Sequence, residues 1–142
     1  MQRPLQVIDL LKFGAARHAK QEIVTRRLEG DIHRYTYADC YRRSAQMAHA
    51  LTALGISPGE RVASLAWNTY RHMELYYAVS GIGAVMHTVN PRLFAEQISW
   101  IINHAESGWV FVDLSFVELL EQIAGQLPQV KGFIIMTDKD HM

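Results

Sequence analysis

The sequence predicts an α/β fold: a mainly parallel sheet with flanking helices, preceded by a helix and a β-hairpin. Three observations predict it. From Arg61 onward, strand-like and helix-like segments alternate, giving four strands joined by three helical crossovers, the pattern of a parallel sheet with right-handed connections. Val110-Phe111-Val112 and Phe133–Met136 are continuously apolar, as strands covered on both faces should be. The chain has 142 residues, 49% hydrophobic and 20% charged, which suits one domain with its own core.

Leu5 to Ala19 reads as a helix, with Leu5, Ile8, Leu11 and Ala15 at helical spacing. Ile23-Val24-Thr25 favours a strand within Gln21–Leu28. Glu29-Gly30-Asp31 is a turn, and Ile32–Thr36 returns as the second strand of a hairpin. Thr36 and Asp39 form a capping-box pair that opens the next helix. Its expected apolar face is Tyr37, Tyr41, Ala45, Ala48, Leu51 and Leu54, and Gly55 stops it. Ser57-Pro58-Gly59-Glu60 is a turn, with proline fixing φ and glycine taking positive φ. Arg61–Trp67 is the first strand of the alternation, and Asn68 is the expected cap of a helix running to about Ile82. Val85–Val89 follows as a strand and Asn90-Pro91 as a turn. Phe94, Ile98, Ile101, Ile102 and Ala105 mark a helix ended by Gly108. After the strand Trp109–Asp113, Ser115 and Glu118 suggest a second capping box. Phe116, Leu119, Leu120, Ile123 and Leu127 face the core, and Phe133–Met136 is the fourth strand.

Composition excludes several functional classes. Lys+Arg and Asp+Glu are 14 each, so net charge gives no argument for nucleic acid or an anionic surface. The charge is uneven, however. Residues 1–71 carry 11 Lys/Arg against 6 Asp/Glu, and residues 72–142 carry 3 against 8. This fits a basic surface for an anionic partner, or two parts that neutralise each other in one fold. A single cysteine, Cys40, excludes an internal disulfide and a multi-cysteine metal site, and suits a reducing, cytoplasmic setting. No apolar run reaches the ~18 residues of a membrane span, and the start lacks a secretory apolar stretch.

Catalytic motifs are missing too. There is no glycine-rich loop ending in Lys-Ser or Lys-Thr. Gly81-Ile82-Gly83-Ala84 follows a helix and precedes a strand, the reverse of a dinucleotide fingerprint. No Gly-x-Ser-x-Gly elbow occurs, and the seven histidines form no His-Glu-x-x-His pattern. Neither a catalytic residue nor a metal ligand is therefore assigned. The ends of the strands are more informative, because ligands in open parallel sheets lie beyond the carboxyl edge. These ends carry Asn68-Thr69, Thr88–Asn90, Asp113 and Thr137-Asp138, which fit a polar crevice or simply helix caps and turns.

An ordered set of segments carries a resemblance. It comprises Thr36–Asp39, Gly55–Ala63, Asn68–Glu74, Gly83-Ala84-Val85, His87-Thr88-Val89-Asn90-Pro91-Arg92-Leu93, Trp109–Asp113 and Leu127-Pro128-Gln129-Val130-Lys131. Together they resemble the adenylate-forming acyl-CoA synthetases of the AMP-binding superfamily, most closely the fatty-acyl-CoA ligase branch, over nearly the whole chain. The resemblance implies that residues 1–142 are the N-terminal portion of the acyl-adenylating domain, an incomplete part of that large domain. The catalytic remainder and the C-terminal lid domain would lie outside this chain. Such an enzyme uses ATP and magnesium to turn a carboxylic acid into an acyl-adenylate, then coenzyme A to form a thioester. It is cytoplasmic or held peripherally at a membrane. Short, medium, long and sulfur-containing acids all stay open.

The phosphate loop and lid lysine of the family have no matching positions here, so the chain alone is expected to bind no cofactor and to be inactive. The site candidates are His87, Thr88, Asn90 and Arg92, as part of an acyl or CoA channel, against the plainer reading of a turn directed by Pro91. A self-contained α/β binding module is the competing function. The chain stops at Lys139-Asp140-His141-Met142, just after an apolar strand, which favours the partial enzyme and predicts exposed apolar surface and self-association as a dimer.

Overall fold

The structure, a computed structural model, describes residues 5–142. Its elements are α1 (Ile8–Arg17), β1 (Glu22–Arg26), β2 (Ile32–Thr36), α2 (Tyr37–Ala53), β3 (Arg61–Leu65), α3 (Tyr70–Gly81), β4 (Val85–Val89), α4 (Ala95–His104), β5 (Trp109–Asp113), α5 (Val117–Ile123) and β6 (Gly132–Met136). The hairpin β1-β2 is antiparallel, and the other four strands form a parallel sheet in the order β4-β3-β5-β6. The expected alternation is therefore what the chain adopts. The residues fall into two compact units, one with residues 5–59 and Thr69–Ala84, the other with Glu60–Asn68 and Val85–Met142.

The first unit packs α1, α2 and α3 with the hairpin around Leu11, Tyr35, Cys40 and Tyr70. Close approach is built into the sequence. A Cβ on Gly14 would lie 3.0 Å from the Tyr37 ring, and one on Gly81 would lie 3.6 Å from Ile8. The Thr36 capping box forms, with the Asp39 amide donating to Thr36 Oγ1 at 3.2 Å and the Thr36 amide donating to Asp39 Oδ2 at 3.1 Å. These bonds, the Thr36 hydroxyl first among them, hold the Asp39 carboxyl below its ordinary range. The α2 face differs from expectation. Its buried residues are Cys40, Ser44 and Leu51, whereas Tyr41 and Leu54 are exposed. Small Cys and Ser side chains turn inward because they allow neighbouring helices to come close, a preference that counting apolar residues does not register. Burial pushes the Cys40 thiol up, so it is an inert packing residue rather than a reactive thiolate. Helix α3 begins after Thr69, not Asn68, and no side chain caps it.

Charges line the interior of this unit. Arg71 Nη1 donates to Glu29 Oε1 at 2.9 Å, with side-chain exposures of 9% and 6%. Arg43 Nε donates to Glu74 Oε1 at 2.6 Å. Burial pushes the Glu29 carboxyl up, but its own backbone amide and Arg71 outweigh that, and the net direction is down. At Glu74 burial prevails over Arg43 and the net direction is up.

In the second unit the β3 register sets Arg61 to Leu65 against Val85 to Val89, and Val62 to Leu65 against Trp109 to Val112. Ala63, Leu65, Val89, Val110 and Val112 share one sheet face and pack with Ile98 and Ile102 of α4 and Leu120 and Ile123 of α5. Val62, Ser64 and Phe111 share the opposite face and are buried as well. So β3 and β5 are covered on both faces, as their apolar runs predict. Strand β6 departs from that expectation: it lies at the sheet's edge, its burial alternates, and Phe133 and Ile135 are partly exposed. Two end signals also read differently. After α4 the residue with positive φ is Glu106, at 50°, and Gly108 follows in ordinary backbone. Arg61 holds that corner by donating to the Ala105 carbonyl at 2.6 Å and pairing with the Glu106 carboxylate. No Ser115–Glu118 box forms, because a 3-10 turn, Leu114–Phe116, comes before α5 and the Ser115 hydroxyl is engaged elsewhere.

Two substitutions test these contacts. Arg71→Met leaves a buried Glu29 carboxylate without its counter-ion and should cost about 3 kcal/mol in urea unfolding at pH 7. The deficit should shrink as acid protonates Glu29, since a neutral carboxyl needs no partner. Gly132 lies beneath its cross-strand partner, and a Cβ there would be 2.6 Å from Trp109 Cζ3. Gly132→Ala should therefore cost about 1–2 kcal/mol by overpacking, read as a lower urea midpoint with unchanged slope.

Candidate functional site at the carboxyl edge of the parallel sheet

The loops after β3, β4 and β5 meet around one side chain, Trp67. Its backbone amide donates to Asp113 Oδ2 at 2.7 Å, and its indole Nε1–H donates to Ser115 Oγ at 3.2 Å. Its ring packs against Phe116 at a centroid distance of 5.2 Å, and the Arg92 guanidinium lies 5.7 Å above it. Each part has a local cause. Asp113 ends an apolar strand and is fully buried, so its carboxylate needs a donor, and the neighbouring strand end supplies a backbone N–H. Trp67 is half-buried, so its indole N–H needs an acceptor and finds Ser115.

The sequence candidates divide among different surroundings. His87 of β4 is half-buried on the face that packs with α4 and α5, with Nδ1 2.8 Å from Ser107 Oγ. Burial pushes its imidazole below the ordinary 6.5, so it is neutral at pH 7. Ser107 is fully buried, so the pair is a packing contact and not a nucleophile with its base. Thr88 points from the opposite face of β4 and is exposed. Asn90 is spent on its own turn: Oδ1 accepts the Arg92 amide at 3.0 Å, and its carbonyl accepts the Leu93 amide at 3.3 Å. Arg92 alone of the four joins the Trp67 cluster. Sequence reasoning missed Trp67 and the tie to Ser115. The available signal was a tryptophan placed where an apolar strand meets Asn68, with an indole donor to satisfy. Asp113 was legible as a strand-end polar residue, but its partner is the β3 end and not a cap.

A sequence model described as AMP-binding enzyme matches residues 11–141. The chain belongs to the AMP-binding enzyme family. It is 42% identical over 139 residues to a long-chain-fatty-acid–CoA ligase of Thermus thermophilus, covering 98% of this chain and 26% of that protein. It is 43% identical over 136 residues to a 3-methylmercaptopropionyl-CoA ligase of Ruegeria lacuscaerulensis, covering 96% and 25%. Among solved structures, the N-terminal domain of FACL13 from Mycobacterium tuberculosis superposes with a TM-score of 0.85 at 26% identity, over 94% of this chain and 34% of that one. The chain therefore spans about a quarter of the length of the curated relatives it matches. Among the described residues no helix is long and apolar enough to cross a membrane.

The His87 environment predicts a pH effect with a definite sign. The folded pKa lies below the unfolded value, so the unfolded chain binds the extra proton as pH falls through about 6.5, and folding stability drops there. The C2–H NMR resonance of His87 should titrate below that value. Ser107→Ala should leave the direction unchanged, because burial and not the hydroxyl sets it.

Proposed function

We propose that this chain is the N-terminal part of an ATP-dependent acid–CoA ligase of the fatty-acid branch, which joins a carboxylic acid to AMP and then to the thiol of coenzyme A. The observation that carries the reading is the 42–43% identity to named CoA ligases along nearly the whole chain. Gly81 and Gly83 end α3 instead of opening a helix, so these residues do not fit a triphosphate cradle. The triphosphate, magnesium and lid chemistry belong to the rest of such a ligase, and the 142 residues by themselves adenylate nothing. Their contribution is a sheet whose carboxyl edge, with Asn90 and Arg92 in the loop after β4, forms part of a substrate channel; Thr88 and His87 shape the strand leading to it. The whole ligase is cytoplasmic or peripheral to a membrane.

The test is ATP–pyrophosphate exchange with a panel of fatty acids. The 142-residue chain should give none. A chimera in which it replaces the matching quarter of the Thermus ligase should exchange. Turnover by the chain alone, or a folded but inactive chimera, overturns the reading, the latter in favour of a separate binding module.

The same reading predicts self-association. Leu10 and Phe13 on α1 are 69% and 61% exposed, and Val24 and Ile32 on the hairpin are exposed too. Apolar groups left in water favour a closed dimer. Sedimentation at tens of micromolar should give twice the 16.2 kDa chain mass, and a sharp monomer overturns it.

A further inference from the structure

Arg92 is exposed, and among the described residues no carboxylate forms an ion pair with it. Its position is nonetheless tightly specified. Pro91 fixes the backbone before it, the Asn90 side chain accepts its amide, and the Asn90 carbonyl closes the turn at Leu93. The guanidinium rests over Trp67, which is itself fixed at both ends of its hydrogen-bonding inventory by Asp113 and Ser115. Stacking on an aromatic face removes side-chain freedom while leaving the edge of the guanidinium fork open to solvent. The result is an unneutralised, pre-oriented cation at the carboxyl edge of a parallel sheet, where ligands of such sheets lie.

We propose that Arg92 is a docking point for a phosphate group of a nucleotide-bearing substrate, with Trp67 as the residue that positions it. The assignment of the ligand rests on the ligase reading above, in which ATP and coenzyme A supply phosphates. A carboxylate matches the same fork, but a single exposed pair with a monoanion is worth little. A phosphate brings more charge and more acceptor oxygens to bidentate contact. Ordering costs have been met in advance by the turn and the stack, so the contact keeps more of its interaction energy.

Nitrogen-15 NMR on the 142-residue chain tests this, with the Arg92 Nε–H and Trp67 Nε1–H resonances as reporters. The probes are inorganic pyrophosphate, coenzyme A, dephospho-coenzyme A, adenosine and octanoate. Both resonances should move saturably at millimolar pyrophosphate or coenzyme A and stay still with adenosine. The two coenzyme A forms separate the 3′-phosphate from the diphosphate as the group bound. Arg92→Ala, at an exposed position, should abolish the Trp67 response. Trp67→Leu should weaken binding roughly tenfold, as loss of a pre-oriented charge-assisted contact implies, and Trp67→Phe should recover it. Motionless resonances, equal movement with adenosine, movement with octanoate alone, or a Trp67 response that survives Arg92→Ala each overturn the proposal. An exchanging chimera with motionless resonances removes the phosphate contact alone. Moving resonances with an inactive chimera remove the ligase reading alone.

Discussion

A carboxylate sealed from water at the end of a strand must find a donor or protonate. Asp113 meets that constraint by accepting the Trp67 amide, and much of the site's order depends on that bond. The bond joins the exits of two adjacent parallel strands, β3 and β5, at the point where the chain leaves the sheet. Trp67 cannot then slide along the edge, so its indole reaches Ser115 and its face stays available to Arg92. A rigid rim thus follows from one polar group placed where an otherwise apolar strand stops.

The first unit solves a different problem. Its helices and hairpin enclose two acids, Glu29 and Glu74, each matched by an arginine from another element. Arg71 reaches from α3 to the hairpin turn and Arg43 from α2 to α3. Such pairs add little net stability against an apolar replacement, yet they are strict about geometry, because a misplaced helix would strand a charge in the interior. The opposite charge of the two halves of the sequence is partly this internal bookkeeping: Arg43 and Arg71 fall in the basic half, Glu74 in the acidic half.

The sequence revealed most where a residue's local chemistry and its tertiary role coincide. Thr36 and Asp39 cap α2 because the box is complete within four residues. The apolar runs of β3 and β5 place them in the sheet centre because burial on both faces leaves no room for alternation. Reading failed where a distant partner decided. Ser115 has the spacing of a cap, but the indole of Trp67 competes for its hydroxyl. Gly108 looked like the helix stop, yet Arg61 stabilises the corner at Glu106 and makes the glycine unnecessary there. The α2 face was misjudged because Cys40 and Ser44 are buried for their size and not their hydrophobicity. At the candidate site, residue types pointed to the right edge of the sheet, but only coordinates separate His87, turned into packing, from Arg92, left facing solvent.

The two units interleave along the chain. The span Glu60–Asn68, which includes β3 of the second unit, is threaded between residues of the first, and α3 returns to the first before β4 begins. Neither unit is therefore an uninterrupted stretch of polypeptide. A ribosome delivers β3 before either of the strands that flank it in the sheet, so that strand must wait for its neighbours to emerge. No single proteolytic nick releases one unit whole. An engineer wishing to study either alone would have to rejoin severed ends, by circular permutation or a new linker, instead of trimming a terminus.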